Sequence, residues 1–141
     1  YFEIASSENV RVPIGGRRAD LGANYVEPTV FAGASAALRV AQEEIFGPVL
    51  ATVRFQDEEE AIAIANRTIY GLAAGIWTRD VKRAHRVAQR LEAGTVWINT
   101  YHPLDAASPF GGYKQSGYGR ELGAYALDLY TQIKSIWVDL S

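Results

Sequence analysis

The chain has 141 residues, of which 48% are hydrophobic and 21% charged, a balance typical of a globular domain rather than a disordered or fibrous protein. Its formal net charge of -2, with the basic residues scattered, argues against nucleic acid or an anionic membrane as a partner. The absence of cysteine excludes disulfides, thiolate metal sites and a cysteine nucleophile within these residues. No secretion signal or membrane-length apolar run is present, so we expect a cytoplasmic protein.

The first third of the chain predicts short elements joined by loops. Tyr1–Ser7 is typical of the end of a helix, and because the chain opens inside such an element without a methionine, we expect further protein before it. Val10–Ile14 alternates briefly and predicts an edge strand, since Pro13 cannot donate a ladder hydrogen bond. Residues 17–24 predict a polar loop, and residues 25–31 an extended segment.

From residue 49 onward the pattern becomes regular. Asp57 predicts a helix start with Glu60 completing a capping box, and Asp80 predicts a second helix start. Gly94 stands where a helix C-terminal glycine is expected. These helices alternate with three predicted strands, at residues 49–55, 73–78 and 95–99. The order predicts an α/β fold in which two successive βαβ crossovers build a parallel sheet.

The last twenty residues predict a helix and an extended tail. Residues 120–129 favour a helix despite Gly123. Residues 131–140 favour a strand with apolar side chains on both faces. Such a strand needs other elements packed on both of its faces, and a terminal tail would not find them within this chain alone.

One segment that could bind a ligand is Gln42–Val49, which contains Glu44 and Phe46. A carboxylate can accept two hydrogen bonds from vicinal hydroxyls, and a nearby aromatic ring can pack on a flat heterocycle, so the segment could meet a nucleoside. A helix end followed by a Gly-Pro turn into a strand explains the same residues. On the pattern alone, this simpler interpretation is favoured.

A second segment is the glycine-rich stretch Ser108–Glu121. Its spacing matches neither of the common phosphate-binding motifs, so we interpret it as a structured loop whose glycines allow close packing. His102 follows the predicted strand 95–99 at its C-terminal end, where open α/β sheets place ligands. With His85 distant in sequence and no cysteine, the sequence predicts no metal site.

Six motifs together resemble the NAD(P)-dependent aldehyde dehydrogenase family. They occur in the family's order, and the Glu-Ile-Phe-Gly-Pro and Phe-Gly-Gly-x-Lys-x-Ser-Gly patterns are highly specific for it. The motifs are Asn24–Val30, Glu43–Val49, Tyr70–Gly75, Ala93–Asn99, Pro109–Gly117 and Arg120–Gly123. The resemblance spans nearly the whole chain and implies the C-terminal part of the catalytic domain over residues 1–130.

The resemblance also implies roles for particular residues. Glu44 is similar to the family's glutamate that hydrogen-bonds the nicotinamide ribose, and Phe46 to the aromatic residue that positions the nicotinamide ring of NAD or NADP. His102, Leu104 and Phe110 become candidates for contact with a small-molecule aldehyde. Residues 131–141 resemble the family's oligomerisation strand, which implies a homo-oligomer, a dimer or tetramer.

The family's reaction implies what these residues lack. A cysteine thiolate attacks the aldehyde, hydride passes from the thiohemiacetal to NAD(P)+, and a glutamate base activates the water that hydrolyses the thioester. In the family, the cysteine, the base and the glycine-rich cofactor domain precede the region matched here. We therefore expect a fragment of an oxidoreductase with no catalytic residue of its own and no activity alone. The alternative is a non-enzymatic assembly module, for which a stable oligomer of the isolated chain would be the sign.

Overall fold

The computed structural model describes all 141 residues, which form two compact units, Tyr1–Thr68 and Ile69–Ser141. The α-helices are α1 (Phe2–Ser7), α2 (Arg39–Gln42), α3 (Glu58–Asn66) and α4 (Val81–Arg90). The strands are β1 (Arg11–Ile14), β2 (Thr29–Ala32), β3 (Val49–Ala51), β4 (Tyr70–Gly71), β5 (Ala73–Ile76), β6 (Thr95–Ile98) and β7 (Tyr113–Lys114). A 3-10 helix follows at Ala124–Leu129. No helix has the length and apolar character that a membrane crossing requires.

The first unit is organised around a three-stranded sheet in the order β1-β2-β3. Strand β1 pairs antiparallel with β2, with Ile14 opposite Val30, and lies at the edge as its proline predicts. Strand β3 pairs parallel with β2, with Thr29 opposite Val49. Because parallel neighbours need a crossover, the chain between them carries helix α2.

The core of the first unit forms between this sheet and the two short helices. Phe31 is fully buried, as is Ala5 of α1, and Val40 of α2 joins them. Partly buried apolar side chains surround this cluster: Phe2, Ile4, Val10, Leu38, Ile45, Val49 and Ala51. The segment that joins α2 to β3 is therefore attached to the core through Ile45.

Both predicted helix starts are confirmed by side-chain caps. Asp57 accepts a hydrogen bond from the Glu60 amide at 2.9 Å, and the Glu60 carboxylate accepts one from the Gln56 amide at 2.7 Å. Asp80 accepts from the amides of Lys82 and Arg83, at 2.9 and 3.1 Å. These bonds satisfy amides that the first turn leaves without helical partners.

The second unit confirms one of the two predicted crossovers. Strands β5 and β6 are parallel, with Ala73 opposite Thr95 and Ile76 opposite Ile98, and α4 connects them. The other crossover was wrong, because β3 pairs with β2 and belongs to a different sheet from β5. The extended segment before residue 32 offers β3 a nearer parallel partner. The fold still consists of parallel βαβ units, formed by β2-α2-β3 and β5-α4-β6.

Two local predictions near helix ends were also wrong. Helix α4 ends at Arg90, and Gly94 lies beyond it, where a side chain would collide with the carbonyl oxygen of Gly111. Gly94 thus serves a close backbone approach rather than a helix cap. The predicted helix over residues 120–129 shortens to a 3-10 helix from residue 124, because Leu122 and Gly123 both have φ near +61°.

The tail does not form the predicted strand. Every residue from 131 to 141 is exposed, and none belongs to a helix or strand. Strand structure requires a neighbouring backbone, and no backbone hydrogen bond joins the tail to the rest of the chain. The apolar side chains of the tail are therefore exposed on both of the predicted faces, Ile133 and Trp137 on one and Ile136, Val138 and Leu140 on the other.

Candidate functional site

The segment between α2 and β3 presents two side chains to solvent from a fixed backbone. Ile45 packs against the core, whereas Glu44 is exposed and Phe46 is 97% exposed. The amide of Gly47 donates to the Ile45 carbonyl, and that of Val49 donates to the Gly47 carbonyl, each at 2.8 Å. The alternation places Ile45 inward and its two neighbours outward.

The start of this segment is held by a charged residue that sequence analysis did not single out. Glu43 accepts two hydrogen bonds from the Arg39 guanidinium, at 2.7 and 3.1 Å, and one from the Tyr1 hydroxyl at 3.0 Å. The hydrogen bond from Arg39, above all, lowers the pKa of Glu43 below its ordinary value of 4.5. The carboxylate is therefore ionised at neutral pH, and its ion pair is lost only as the pH falls through this lowered pKa.

Glu44 and Phe46, the two residues predicted to meet a nucleoside, both present exposed side chains. No hydrogen bond or ion pair engages the Glu44 carboxylate, so both of its oxygens are available to a pair of vicinal hydroxyls. The ring of Phe46 is free on its faces and can pack on a planar heterocycle. The cofactor contacts of both side chains stay a prediction.

In the second unit, Leu104 and Phe110 share a cavity of about 410 Å³. The other lining residues are Thr95, Val96, Trp97, Pro103, Asp105, Ser108 and Pro109. Apolar side chains predominate, and Asp105 is a charged member whose carboxylate accepts a hydrogen bond from the Ala107 amide at 2.7 Å. Two of the three residues predicted to contact an aldehyde thus line one cavity.

His102, the third candidate for aldehyde contact, lies outside the lining of this cavity. It adopts a φ of 63° and its ring lies 5.9 Å from that of Trp97 and 6.1 Å from that of Tyr101. The Trp97 indole donates to the Pro103 carbonyl at 3.2 Å, and both residues line the cavity. His102 thus lies beside the cavity. Trp97 is a lining residue that the sequence analysis did not single out.

The glycine-rich segment Ser108–Glu121 forms a hydrogen-bonded loop. Phe110 and Glu121 exchange two backbone hydrogen bonds of 2.7 Å each. The Arg120 guanidinium donates to the carbonyls of Gly112 and Gly119, at 3.1 and 2.6 Å, and lies over the ring of Tyr113. The loop is thus closed by hydrogen bonds among its own residues.

Comparison with known proteins identifies the family. The sequence profile described as the aldehyde dehydrogenase family matches residues 1–136. The chain belongs to the aldehyde dehydrogenase family. It is 47% identical to betaine aldehyde dehydrogenase of Bacillus subtilis, over 97% of this chain and 29% of that protein. It is 51% identical to acetaldehyde dehydrogenase 2 of Cupriavidus necator, over 100% of this chain and 29% of that protein.

Solved structures of aldehyde dehydrogenases share the fold. An NAD+ complex of aldehyde dehydrogenase from Bacillus cereus superimposes with a TM-score of 0.93 at 52% identity, over 100% of this chain and 29% of that chain. An indole-3-acetaldehyde dehydrogenase of P. syringae, in complex with NAD+ and IAA, gives a TM-score of 0.92 at 48% identity, over 99% and 29%. The chain therefore spans less than a third of the aldehyde dehydrogenases that it matches.

Proposed function

We propose that this chain supplies part of the cofactor and substrate walls of an enzyme that oxidises an aldehyde to a carboxylic acid with NAD(P)+. The observation that carries the proposal is the pairing of an unengaged Glu44 carboxylate with an exposed Phe46 ring on one fixed segment. Membership of the aldehyde dehydrogenase family supports the same reaction, and relatives are described as NAD+ complexes. A purely structural assembly module would have no need of this pairing.

Each candidate residue has a distinct task in this proposal. The Glu44 carboxylate accepts hydrogen bonds from the ribose hydroxyls, and the Phe46 ring packs beside the nicotinamide. Leu104 and Phe110 exclude water from the aldehyde side chain within their cavity, with His102 beside it. The chemistry that the cofactor supplies when bound is acceptance of a hydride.

The nucleophile of the proposed reaction lies outside these 141 residues. An attacking thiolate requires cysteine, and the sequence contains none. The proposal therefore assigns binding and orientation to this chain, with the bond-making groups on residues outside it. The 141 residues alone are expected to be inactive.

The substitution Glu44→Gln in the full-length protein tests the cofactor role. A hydrogen bond to a charged group contributes about 1.5 kcal/mol or more, so we expect the Kd for NAD+ to rise about tenfold. Fluorescence titration with NAD+ measures this change, and the Tm checks that folding is preserved. Glu3→Gln, which alters an exposed carboxylate on α1, is the matched control and should leave binding unchanged. Unaltered affinity in Glu44→Gln would contradict the proposal.

We also propose that residues 131–140 join subunits into a homo-oligomer. The support is that every one of these residues is exposed, including Ile133, Trp137 and Leu140, each at least 92% exposed. Apolar side chains left in water at this density favour burial against another surface.

The cytoplasmic location expected from the sequence stays a prediction, which cell fractionation would test.

A further inference from the structure

The Glu44 carboxylate has no partner, yet the residue beside it is held by four hydrogen bonds. Two come from the Arg39 guanidinium and one from the Tyr1 hydroxyl, as described above. The fourth is the Glu43 amide, which donates to the Arg39 carbonyl at 2.8 Å. The Tyr1 hydroxyl also lies 3.3 Å from the carbonyl oxygen of Glu44. We call this set, Tyr1, Arg39 and Glu43, the clamp.

We propose that Arg39 is a positioning residue for nicotinamide cofactor binding, acting through Glu43 to fix the direction of the Glu44 carboxylate. The inference rests on the proposed function of Glu44 and adds a residue to it. Arg39 itself is not assigned a contact with the cofactor.

The backbone geometry connects the clamp to Glu44. Glu43 ends α2 with φ -95° and ψ 148°, which is extended backbone. In extended backbone, successive side chains point to opposite sides, so the anchored Glu43 side chain directs that of Glu44 away from the clamp. Ile45 then packs into the core and fixes the other end of the short segment. Release of Glu43 would free the first of these two anchors.

The form of the ion pair explains why an arginine suits this position. The two hydrogen bonds leave different guanidinium nitrogens, Nε and Nη2, and reach the two oxygens of one carboxylate. This two-point contact fixes the plane of the carboxylate as well as its distance, whereas an ammonium group would supply a point charge. Arg39 is in turn held by its own amide, which donates to Glu8 at 3.1 Å. The clamp is thus attached to Glu8, the residue that follows α1.

The clamp is exposed, and this separates positioning from stability. The Arg39 side chain is 58% exposed and that of Glu43 is 39% exposed. Exposed ion pairs add little to the stability of a fold because water screens them. Loss of the clamp should therefore change cofactor affinity more visibly than it changes the melting temperature.

The test compares Arg39→Ala, Glu43→Gln and their combination in the full-length protein. We expect each single variant to raise the Kd and the KM for NAD+ about three- to fivefold, with kcat and the aldehyde KM unchanged, as for a loss of binding energy alone. The double variant should be no weaker than the singles, because both remove one shared contact. Arg39→Lys should restore part of the affinity. Arg17→Ala, which breaks the exposed Arg17–Glu27 pair in the same unit, is the control and should have no effect.

Three results would overturn the inference. They are unchanged NAD+ affinity in Arg39→Ala, additive losses in the double variant, and a fall in melting temperature that accounts for the weaker binding. If Glu44→Gln weakens NAD+ binding while Arg39→Ala does not, the inference fails and the proposed function stands. If Glu44→Gln has no effect, the proposed function itself fails.

Discussion

At the scale of single residues, the side chains of Glu44 and Phe46 differ from those of Glu43 and Ile45, because the Glu44 carboxylate has no hydrogen bond and the Phe46 ring is exposed. Burial of apolar area drives folding, and a phenyl ring that is 97% exposed gains none of it. Hydropathy pattern alone favoured an ordinary turn here, because a pattern records which residues are apolar and not which remain unpaired after folding. The family resemblance predicts the role of both residues, and the structure shows that the ring and the carboxylate are exposed.

Leu104 offers a test of the aldehyde wall. Leu104→Trp adds a large ring to a cavity of about 410 Å³, so we expect kcat/KM for bulky aldehydes to fall about tenfold, while that for a two-carbon aldehyde changes little. Steady-state rates of the full-length protein on a series of aldehydes measure this. The same replacement at Leu21, which is 74% exposed in a loop, is the control. An equal loss for all aldehydes would argue against a wall role.

At the scale of elements, the sequence predicted what is decided locally. The caps at Asp57 and Asp80 depend on amides two or three residues away, and both were predicted correctly. The partner of β3 is β2, a strand some twenty residues earlier, whereas the sequence analysis had placed residues 25–31 only as an extended segment. The cavity of Leu104 and Phe110 was likewise beyond pattern reasoning, although both residues were named. Long-range backbone approach is the common cause of these differences.

Gly94 allows a test of how such a close approach of two backbone segments affects stability. Gly94→Ala would drive a methyl group into the Gly111 carbonyl. Because this carbonyl is backbone, the clash can be relieved only if the glycine-rich loop moves. Overpacking of this kind costs about 1–3 kcal/mol or more, so we expect a clear fall in the Tm of the full-length protein. Gly47→Ala, where nothing lies within 4 Å, is the control for a glycine with free space. Equal Tm values for the two variants would refute this account.

At the scale of the whole molecule, the tail after Tyr130 leaves several apolar side chains exposed to solvent. Deletion of residues 131–141 from the full-length protein should reduce its oligomeric state, since the exposed apolar side chains would then be absent from any subunit contact. Analytical ultracentrifugation of the truncated and intact proteins measures the outcome. Ser135→Ala within the tail is a mild control. An unchanged molar mass after deletion would show that subunits associate through other residues.

The division of the chain into two compact units separates two kinds of recognition. The residues proposed to meet the nucleotide belong to Tyr1–Thr68, and those proposed to meet the aldehyde belong to Ile69–Ser141. Each group rests on a framework of its own, a hydrophobic core in one case and a hydrogen-bonded loop in the other. If the proposed roles are correct, the side chains that face the aldehyde can therefore be exchanged without disturbing the framework of those that face the nucleotide.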